Sequence, residues 1–359
     1  MRLETLPIHS HIRDYTVQLE PNPRFVQDLL KEELSFWVVD KNVWQLYKEP
    51  LFSSAKTDNF YILDAKEENK TLDCVCEIYK KILTLAPKRN LHLISMGGGI
   101  VQDVTGFVAS TLYRGIRWTF IPTTLLAQVD SCIGAKTSLN FLHYKNLIGS
   151  FYPPDRVRVW PGFVNTLKTL DYYSGIGEMA KLHLMAGEDT TQKFIANLPA
   201  LDKRDEAVLL DFISACLRIK KSYIEKDEFD TGIRNLLNYG HCFGHALESA
   251  SCFKIPHGQA VVLGMLLANR YASQNGMLQK QQEEFVRKEM LLPILKINAG
   301  DLPSRPEEAV AAMKHDKKNV GKGLALIILE DNYQLRKLTD VSLESASLLL
   351  QRLKNLIYD

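Results

Sequence analysis

The chain has 359 residues, of which 46% are hydrophobic and 24% charged, and a formal net charge of +2. That length accommodates two packed domains, and the near-neutral balance lacks the basic signature of a nucleic-acid binder. No run reaches the roughly 18 apolar residues of a membrane span. The opening MRLETLPIHSHIRDY has no apolar signal core, and the six cysteines lack disulfide or metal spacing. A cytoplasmic enzyme with reduced thiols, no nucleic-acid partner and no membrane partner is expected.

Taken in order, YTVQLE (15–20) alternates as an edge strand, residues 24–33 form a helix, and SFWVVD (35–40) is a buried strand. The strand ends at Asp40-Lys41-Asn42, a position that touches nucleotides in open α/β sheets and that equally suits an Asx turn. NFYILDA (59–65) is a second strand, KEENKTLDCVCEIYKKILTLA an amphipathic helix, and LHLISM (91–96) a third strand. It runs into Gly97-Gly98-Gly99-Ile100-Val101-Gln102-Asp103 and the helical VTGFVASTLYRG. Strand, glycines, helix lets backbone N–H groups approach a diphosphate; a tight structural turn would use the same glycines. WTFIP (118–122) ends at Thr123-Thr124, and VRVW (157–160) is the last strand. This alternation predicts a Rossmann-like α/β domain with a parallel sheet over 1–164.

Between those last two strands, Asp130, Lys136, Lys145 and Asn146 lie among apolar residues. Buried lysines need partners, so Lys136 and Lys145 are candidates for gripping a phosphate or carboxylate; two surface lysines on a loop are the alternative.

From about residue 165 helical periodicity takes over, closed by a short hairpin (LALIILE, then NYQLRKLT) and a terminal helix. The expectation is a helical domain over 165–359, with a cleft between it and the first. Three of the nine histidines fall in RNLLNYGHCFGHALESASCFKIPHGQA (234–260). His241 and His245, four apart in a run read as helix, share one face, and His257 opens the next helix after Pro256. A helix pair that folds His257 back onto that face makes a divalent-metal site, with a carboxylate as a further ligand. Glu178 in GIGEMAK is the best-placed carboxylate by composition. An ordinary surface pair of Glu178 with Lys181, with the histidines in core and surface roles, is the bland alternative.

GGGIVQD, YRGIRWTFIPTTLLAQVDS, KTSLN, YKNLIGSFY, GIGEMAK, TGIRNLLNYGHCFGHALE and HGQAV occur in this order. They resemble the blocks of the 3-dehydroquinate synthase family, within the sugar phosphate cyclases, over about Asp40 to Lys318. The resemblance implies NAD and one divalent metal ion, zinc or cobalt, held by Glu178, His241 and His257. It implies NAD contacts from Asp40, Asn42, Glu67, Lys70, Gly98, Gly99, Ile100, Asp103, Thr123, Thr124, Lys145 and Thr166. Asp130, Lys136, Lys181 and His245 would be catalytic. Asn146, Asn238 and a lysine of the Asp316-Lys317-Lys318 segment (Lys317 or Lys318) would bind substrate, with Arg114 reaching it from the neighbouring subunit of a homodimer.

The implied reaction converts 3-deoxy-arabino-heptulosonate 7-phosphate to 3-dehydroquinate and phosphate, by transient oxidation, elimination, reduction and intramolecular aldol closure. Lys220 and Arg234 match the family's carboxylate-binding pair, which favours the acid over a neutral sugar phosphate such as sedoheptulose 7-phosphate. Four departures stand against the usual pattern: Ala135 for glycine in Gly134-Ala135-Lys136-Thr137, Tyr144 for glycine in His143-Tyr144-Lys145-Asn146, Gln259 for glutamate in His257-Gly258-Gln259-Ala260, and Gln102 for a small residue. Gln259, beside a metal ligand, would weaken the metal site by removing an orienting carboxylate. A related cyclase of a secondary or surface-sugar pathway, a glycerol dehydrogenase-like alcohol dehydrogenase and a non-catalytic NAD-binding protein are the competing readings.

Overall fold

The computed structural model describes residues 4–53, 55, 57–86, 89–142, 144–303, 305–314 and 323–358. Two compact units form, Met1–Thr166 with Leu209–Phe229, and Leu167–Val208 with Asp230–Asp359.

In the first unit, β1 (Glu4–Ile8) and β2 (Tyr15–Leu19) precede α1 (Arg24–Leu30), β3 (Ser35–Asp40), α2 (Lys41–Phe52), β4 (Phe60–Leu63), α3 (Leu72–Leu83), β5 (His92–Gly97), α4 (Gly99–Thr111) and β6 (Trp118–Pro122). A two-stranded hairpin, β7 (Lys136–Phe141) and β8 (Tyr144–Phe151), and then β9 (Arg156–Val159) follow. The sheet runs β1-β2-β9-β6-β5-β3-β4, with only the β1–β2 pairing antiparallel. β3 is buried on both faces because its four central residues, Phe36 to Val39, are apolar: Trp37 and Val39 pack with Phe25, Leu29 and Phe52 of α1 and α2, and Phe36 and Val38 on the other face are 0% exposed.

The chain passes from β3 to β4 on one side and then back to β5 on the other. The order therefore reverses between β3 and β5, and the crevice at their carboxyl ends is the natural ligand position of such a sheet. Asp40 ends β3 and the glycine cluster ends β5.

The second unit opens with α5 (Thr169–Met185), buried from Tyr172 onward, and α6 (Glu188–Asp202). α7 (Glu206–Ile224) packs with the first unit from Leu209 on, so the expected boundary at 164/165 does not describe α7. Three contacts explain this: Ser214 Oγ donates to Glu4 (3.0 Å), Arg218 pairs with Glu4, and Lys220 Nζ reaches Asp130. Then come α8 (His241–Ala250), α9 (His257–Gln274), α10 (Lys280–Phe285), α11 (Pro306–Lys314), the hairpin β10 (Leu324–Leu329) with β11 (Leu335–Val341), α12 (Leu343–Gln351) and α13 (Leu353–Tyr358). No described helix is long and apolar enough to cross a membrane.

Several elements depart from expectation. The helix expected from residue 66 starts at Leu72, where the Thr71 side chain accepts from the Cys74 amide; ahead of it Glu67 lies in a 3-10 turn (Glu67–Asn69) that Lys70 ends. The helix expected through 236–250 starts only at His241, after a 3-10 turn (Ile233–Asn238) and Gly240 at φ +78. β1, α2, α6 and the β7–β8 hairpin carried too little periodicity to be predicted.

Candidate active site

The metal-ligand candidates converge within the second unit. His241 and His257 are each the first residue of their helix, after Gly240 and Pro256. Helix contact there is close because glycines line it: a Cβ on Gly264 would stand 1.8 Å from the Gly240 carbonyl oxygen, and one on Gly177 would stand 2.3 Å from that of Gly258. The second approach lays Glu178 beside His257. Glu178 is 0% exposed, and its Oε1 lies 3.7 Å from His241 Nε2 and 3.5 Å from His257 Nε2. His245 completes the group, since the three imidazoles offer ligand atoms all within 4.8 Å of one another.

In the His241 and His257 rings, the nitrogen facing away from Glu178 also has a partner. His241 Nδ1 donates to the Tyr239 carbonyl at 3.1 Å, and His257 Nδ1 faces Glu248 Oε2 at 3.3 Å. Burial pulls the His257 imidazole down, but hydrogen bonds and charge from Glu178 and Glu248 outweigh it and push it up to about 10. Imidazole nitrogens around a carboxylate, in a pocket that favours positive charge, suit a borderline divalent ion such as zinc or cobalt. The donor set fits.

Lys181 sits one turn beyond Glu178 and is no surface residue. Its ammonium lies 2.5 Å from Glu178 Oε2 and donates to the Leu237 carbonyl at 2.8 Å, with the side chain 2% exposed. The surface-pair reading of Glu178 and Lys181 is thereby overturned. Asn238 follows Leu237 and donates to the Asn235 carbonyl at 3.0 Å, and Arg234, in the same 3-10 turn, is buried.

The first unit gathers most of the expected NAD contacts. A Cβ on Gly97 would meet Val101 Cγ2 at 2.5 Å and Asp40 Cβ at 3.2 Å, and one on Gly98 would meet Thr124 at 3.0 Å. The Thr123 amide donates to the Gly97 carbonyl at 2.9 Å. Gly98 caps α4 without a side-chain bond, so the amides of its first turn, Gly99 and Ile100 among them, have no side-chain cap from that residue. Asp40 Oδ1 accepts from the Asn42 amide at 2.7 Å, and burial raises its carboxyl above the usual range. A glycine cradle at a helix start, flanked by a carboxylate on the neighbouring strand, fits a dinucleotide.

Beside it, Lys70 Nζ lies 2.5 Å from Asp103 Oδ2 and donates to Asn146 Oδ1 at 2.6 Å, while Ser138 Oγ donates to both Asp103 and Asn146. Burial raises the Asp103 carboxyl, with Lys70 pulling the other way. Glu67 Oε1 accepts from Asn140 at 2.8 Å and lies 3.9 Å from Lys145 Nζ. Thr166 is near Tyr47 of α2, with the hydroxyls 3.3 Å apart.

One expectation needs correction, the burial of Lys136 and Lys145. Lys136 is exposed and Lys145 is 38% exposed, because 136–151 folds as a hairpin with one open face; neither lysine is buried. Lys220 Nζ is engaged with Asp130, 2.9 Å from Oδ1 and 2.6 Å from the carbonyl. Arg114 does not join this group within its own chain: it lies past the far end of α4, about 20 Å along the helix from Gly99, on a turn where Tyr113, Arg114 and Gly115 have φ of 52, 64 and 117. Lys317 and Lys318 fall outside the described residues.

Residues 60–174 match the family described as 3-dehydroquinate synthase N-terminal, and residues 175–319 the one described as 3-dehydroquinate synthase C-terminal. The chain belongs to the 3-dehydroquinate synthase family. Relatives named 3-dehydroquinate synthase include one from Clostridium tetani (strain Massachusetts / E88), 38% identical over 299 residues, covering 82% of this chain and 79% of the relative. Another, from Pelagibacter ubique (strain HTCC1062), is 37% identical over 347 residues, covering 92% and 93%. Solved structures share the fold: a 2-deoxy-scyllo-inosose synthase complexed with carbaglucose-6-phosphate, NAD+ and Co2+ (TM-score 0.83, 22% identity, 97% and 100% covered) and a 2-epi-5-epi-valiolone synthase from Streptomyces hygroscopicus subsp. jinggangensis 5008 with NAD+ and Zn2+ (0.82, 24%, 99% and 99%). A probable glycerol dehydrogenase from Sinorhizobium meliloti 1021 is more distant, at TM-score 0.58 and 14% identity over 90% of each chain.

Against the family pattern, three departures have structural counterparts. Gln102 Nε2 donates to the Ser131 carbonyl at 2.6 Å while Ser131 Oγ donates to Gln102 Oε1 at 2.7 Å, tying α4 to the turn that carries Asp130. Ala135 stands at φ +61, where a side chain costs on the order of 1 kcal/mol and glycine would not. Gln259 does not attend the metal ligands: Nε2 donates to the carbonyls of Tyr173 (3.0 Å) and Ile294 (3.1 Å), and Oε1 accepts from the Lys296 amide (2.7 Å). The expected loss of an orienting carboxylate at 259 is therefore corrected. The carboxylate on His257 is Glu248, unnoticed in the sequence although it lies seven residues after His241 on the same helix face. Nothing in the structure explains Tyr144.

Proposed function

We infer that this chain is a 3-dehydroquinate synthase. It converts 3-deoxy-arabino-heptulosonate 7-phosphate to 3-dehydroquinate and phosphate through a transient oxidation, phosphate elimination, reduction and aldol closure. The observation that best supports it is the buried pair Glu178 and Lys181 against the half-buried His241 and His257 in a chain of this family. Nothing structural requires such a set, and an interior carboxylate, ammonium and imidazole pair are costly to keep without a task.

Glu178, His241 and His257 would hold the divalent ion, and the cradle of Asp40, Gly98, Gly99 and Thr124 would hold NAD. When bound, NAD supplies a reversible hydride acceptor and the ion supplies a Lewis acid for the hydroxyl being oxidised. Lys181 would offer a positive charge that stabilises negative charge developing on that hydroxyl oxygen. His245, on the same helix face as His241, would carry a proton. Asp130 and Lys136, with Asn146 and Asn238, are the further residues for substrate orientation. Lys220 and Arg234 would take the substrate carboxylate, with the Asp130 carboxylate now on Lys220 giving way to it. Arg114 would serve the phosphate of the other subunit in a cytoplasmic homodimer. The metal, zinc or cobalt, follows the set of ligands rather than their spacing.

The test is phosphate release by the purified chain with NAD and zinc or cobalt, offered the seven-carbon acid phosphate and, separately, sedoheptulose 7-phosphate. Release with the acid alone is the expected result, together with an activity loss of at least about 100-fold in Arg234→Met, because a buried positive charge is removed. Release with the neutral sugar alone would leave the cyclase chemistry and overturn this substrate.

A further inference from the structure

We propose that Glu248 is a positioning residue of the metal centre: it fixes the His257 ring so that Nε2 faces Glu178, and it raises the basicity of that nitrogen. The inference rests on the metal-centre reading above. His257 lies between two carboxylates, with Nδ1 at 3.3 Å from Glu248 Oε2 and Nε2 at 3.5 Å from Glu178 Oε1. An imidazole that donates through Nδ1 keeps the Nε2 lone pair for a cation, and a charged acceptor makes that lone pair a stronger ligand. His241 Nδ1 faces the Tyr239 backbone carbonyl instead. The Nδ1 atoms of the two histidines thus have unlike partners, a carboxylate for His257 and a backbone carbonyl for His241.

Two further observations separate this role from a merely structural one. Glu248 occupies the last turn of α8 (His241–Ala250), where the helix dipole disfavours negative charge, and its side chain is only 16% exposed. A carboxylate retained against both penalties is stabilised by the ring it touches. Gln259, the residue next but one to His257, is committed elsewhere through both side-chain ends, so it supplies no competing support.

The test compares the full chain with Glu248→Gln and Glu248→Leu. Affinity for Zn2+ and for Co2+ is measured by chelator competition at fixed pH, the visible absorption of the Co2+ adduct is recorded, and thermal unfolding of the chelator-treated chain is followed. Removing such a partner costs about 10–100-fold in metal affinity. Glu248→Leu should fall within that range, and Glu248→Gln, which keeps an acceptor oxygen but loses the charge, should fall short of it. The Co2+ spectrum should shift in both, and the cation-free chain should unfold no earlier. Affinities within about twofold of the unsubstituted chain in both variants, or a loss confined to cation-free stability, would overturn the role of Glu248 alone. Failure of the unsubstituted chain to take up either ion would overturn the metal centre itself, and this role with it.

Discussion

Gly177 and Gly258 meet so closely that a Cβ on Gly177 would stand 2.3 Å from the Gly258 carbonyl oxygen. The residue after Gly177 is Glu178 and the residue before Gly258 is His257, so one backbone contact fixes a carboxylate beside an imidazole from a distant segment. Gly177→Ala should push α5 off α9. Overpacking of this kind costs about 1–3 kcal/mol, and the distance it adds falls directly on the ligand pair. The expected outcome is a lower unfolding temperature together with weaker Co2+ binding, read by calorimetry and chelator competition. Unchanged Co2+ affinity would show that the contact does not set the centre.

The four groups around the centre should separate by function. Glu178→Gln, His241→Ala and His257→Ala should each abolish metal retention through gel filtration, with phosphate release falling by at least about 1,000-fold. His245→Ala should retain the metal and still lose activity, by about 100-fold or more, as expected of a proton carrier. Metal loss in His245→Ala would make it a ligand, which its position within 4.8 Å of the other two rings permits.

Restoring the family's glutamate at 259 should not strengthen the metal site. In Gln259→Glu the carbonyls of Tyr173 and Ile294 lose their donor and face a carboxylate in a position that is 0% exposed. Unsatisfied buried groups cost about 1–3 kcal/mol each. A fall in unfolding temperature of several degrees with no gain in Zn2+ affinity is expected, from paired thermal and metal titrations.

Acid stability should depend on His183. Burial lowers this imidazole from 6.5 to about 4, only partly offset by its bond to the Met179 carbonyl. The folded chain therefore keeps it neutral while the unfolded chain protonates it below about 6.5. Stability from this group is full above that value and is lost as pH falls towards about 4, a gap of about 2.5 pH units that corresponds to roughly 3–4 kcal/mol. Chemical unfolding of the cation-free chain at a series of pH values should show this slope, and His183→Leu should flatten it by that amount. Parallel slopes would assign the acid sensitivity to other groups.

The sequence made the parallel sheet legible because β3, β5 and β6 are short apolar runs bounded by turns, and it made the histidine centre legible because four-residue spacing maps onto a helix face. It misled where a pattern had two physical causes. Apolar residues around Lys136 and Lys145 suggested burial, whereas Phe141, Leu142, Tyr144 and Leu147 are exposed on the hairpin. Gln259 was judged by its neighbour in sequence, although residues two apart on a helix point in different directions, and its partners lie on Tyr173, Ile294 and Lys296. Glu248 was missed for the converse reason, since its link to His257 depends on how α8 folds back on α9. For Glu178 and Lys181 a surface pair stays open as an alternative in the sequence, because i, i+3 spacing carries no information about which face is buried.

The most direct measurement sets phosphate released against NADH accumulated, with the purified chain, catalytic NAD, zinc or cobalt, and 3-deoxy-arabino-heptulosonate 7-phosphate. The account predicts many phosphates per chain with no net NADH, because the hydride taken in the first step is returned within the same turnover. NADH rising in step with substrate consumed, without phosphate, would contradict it and identify a simple alcohol dehydrogenase.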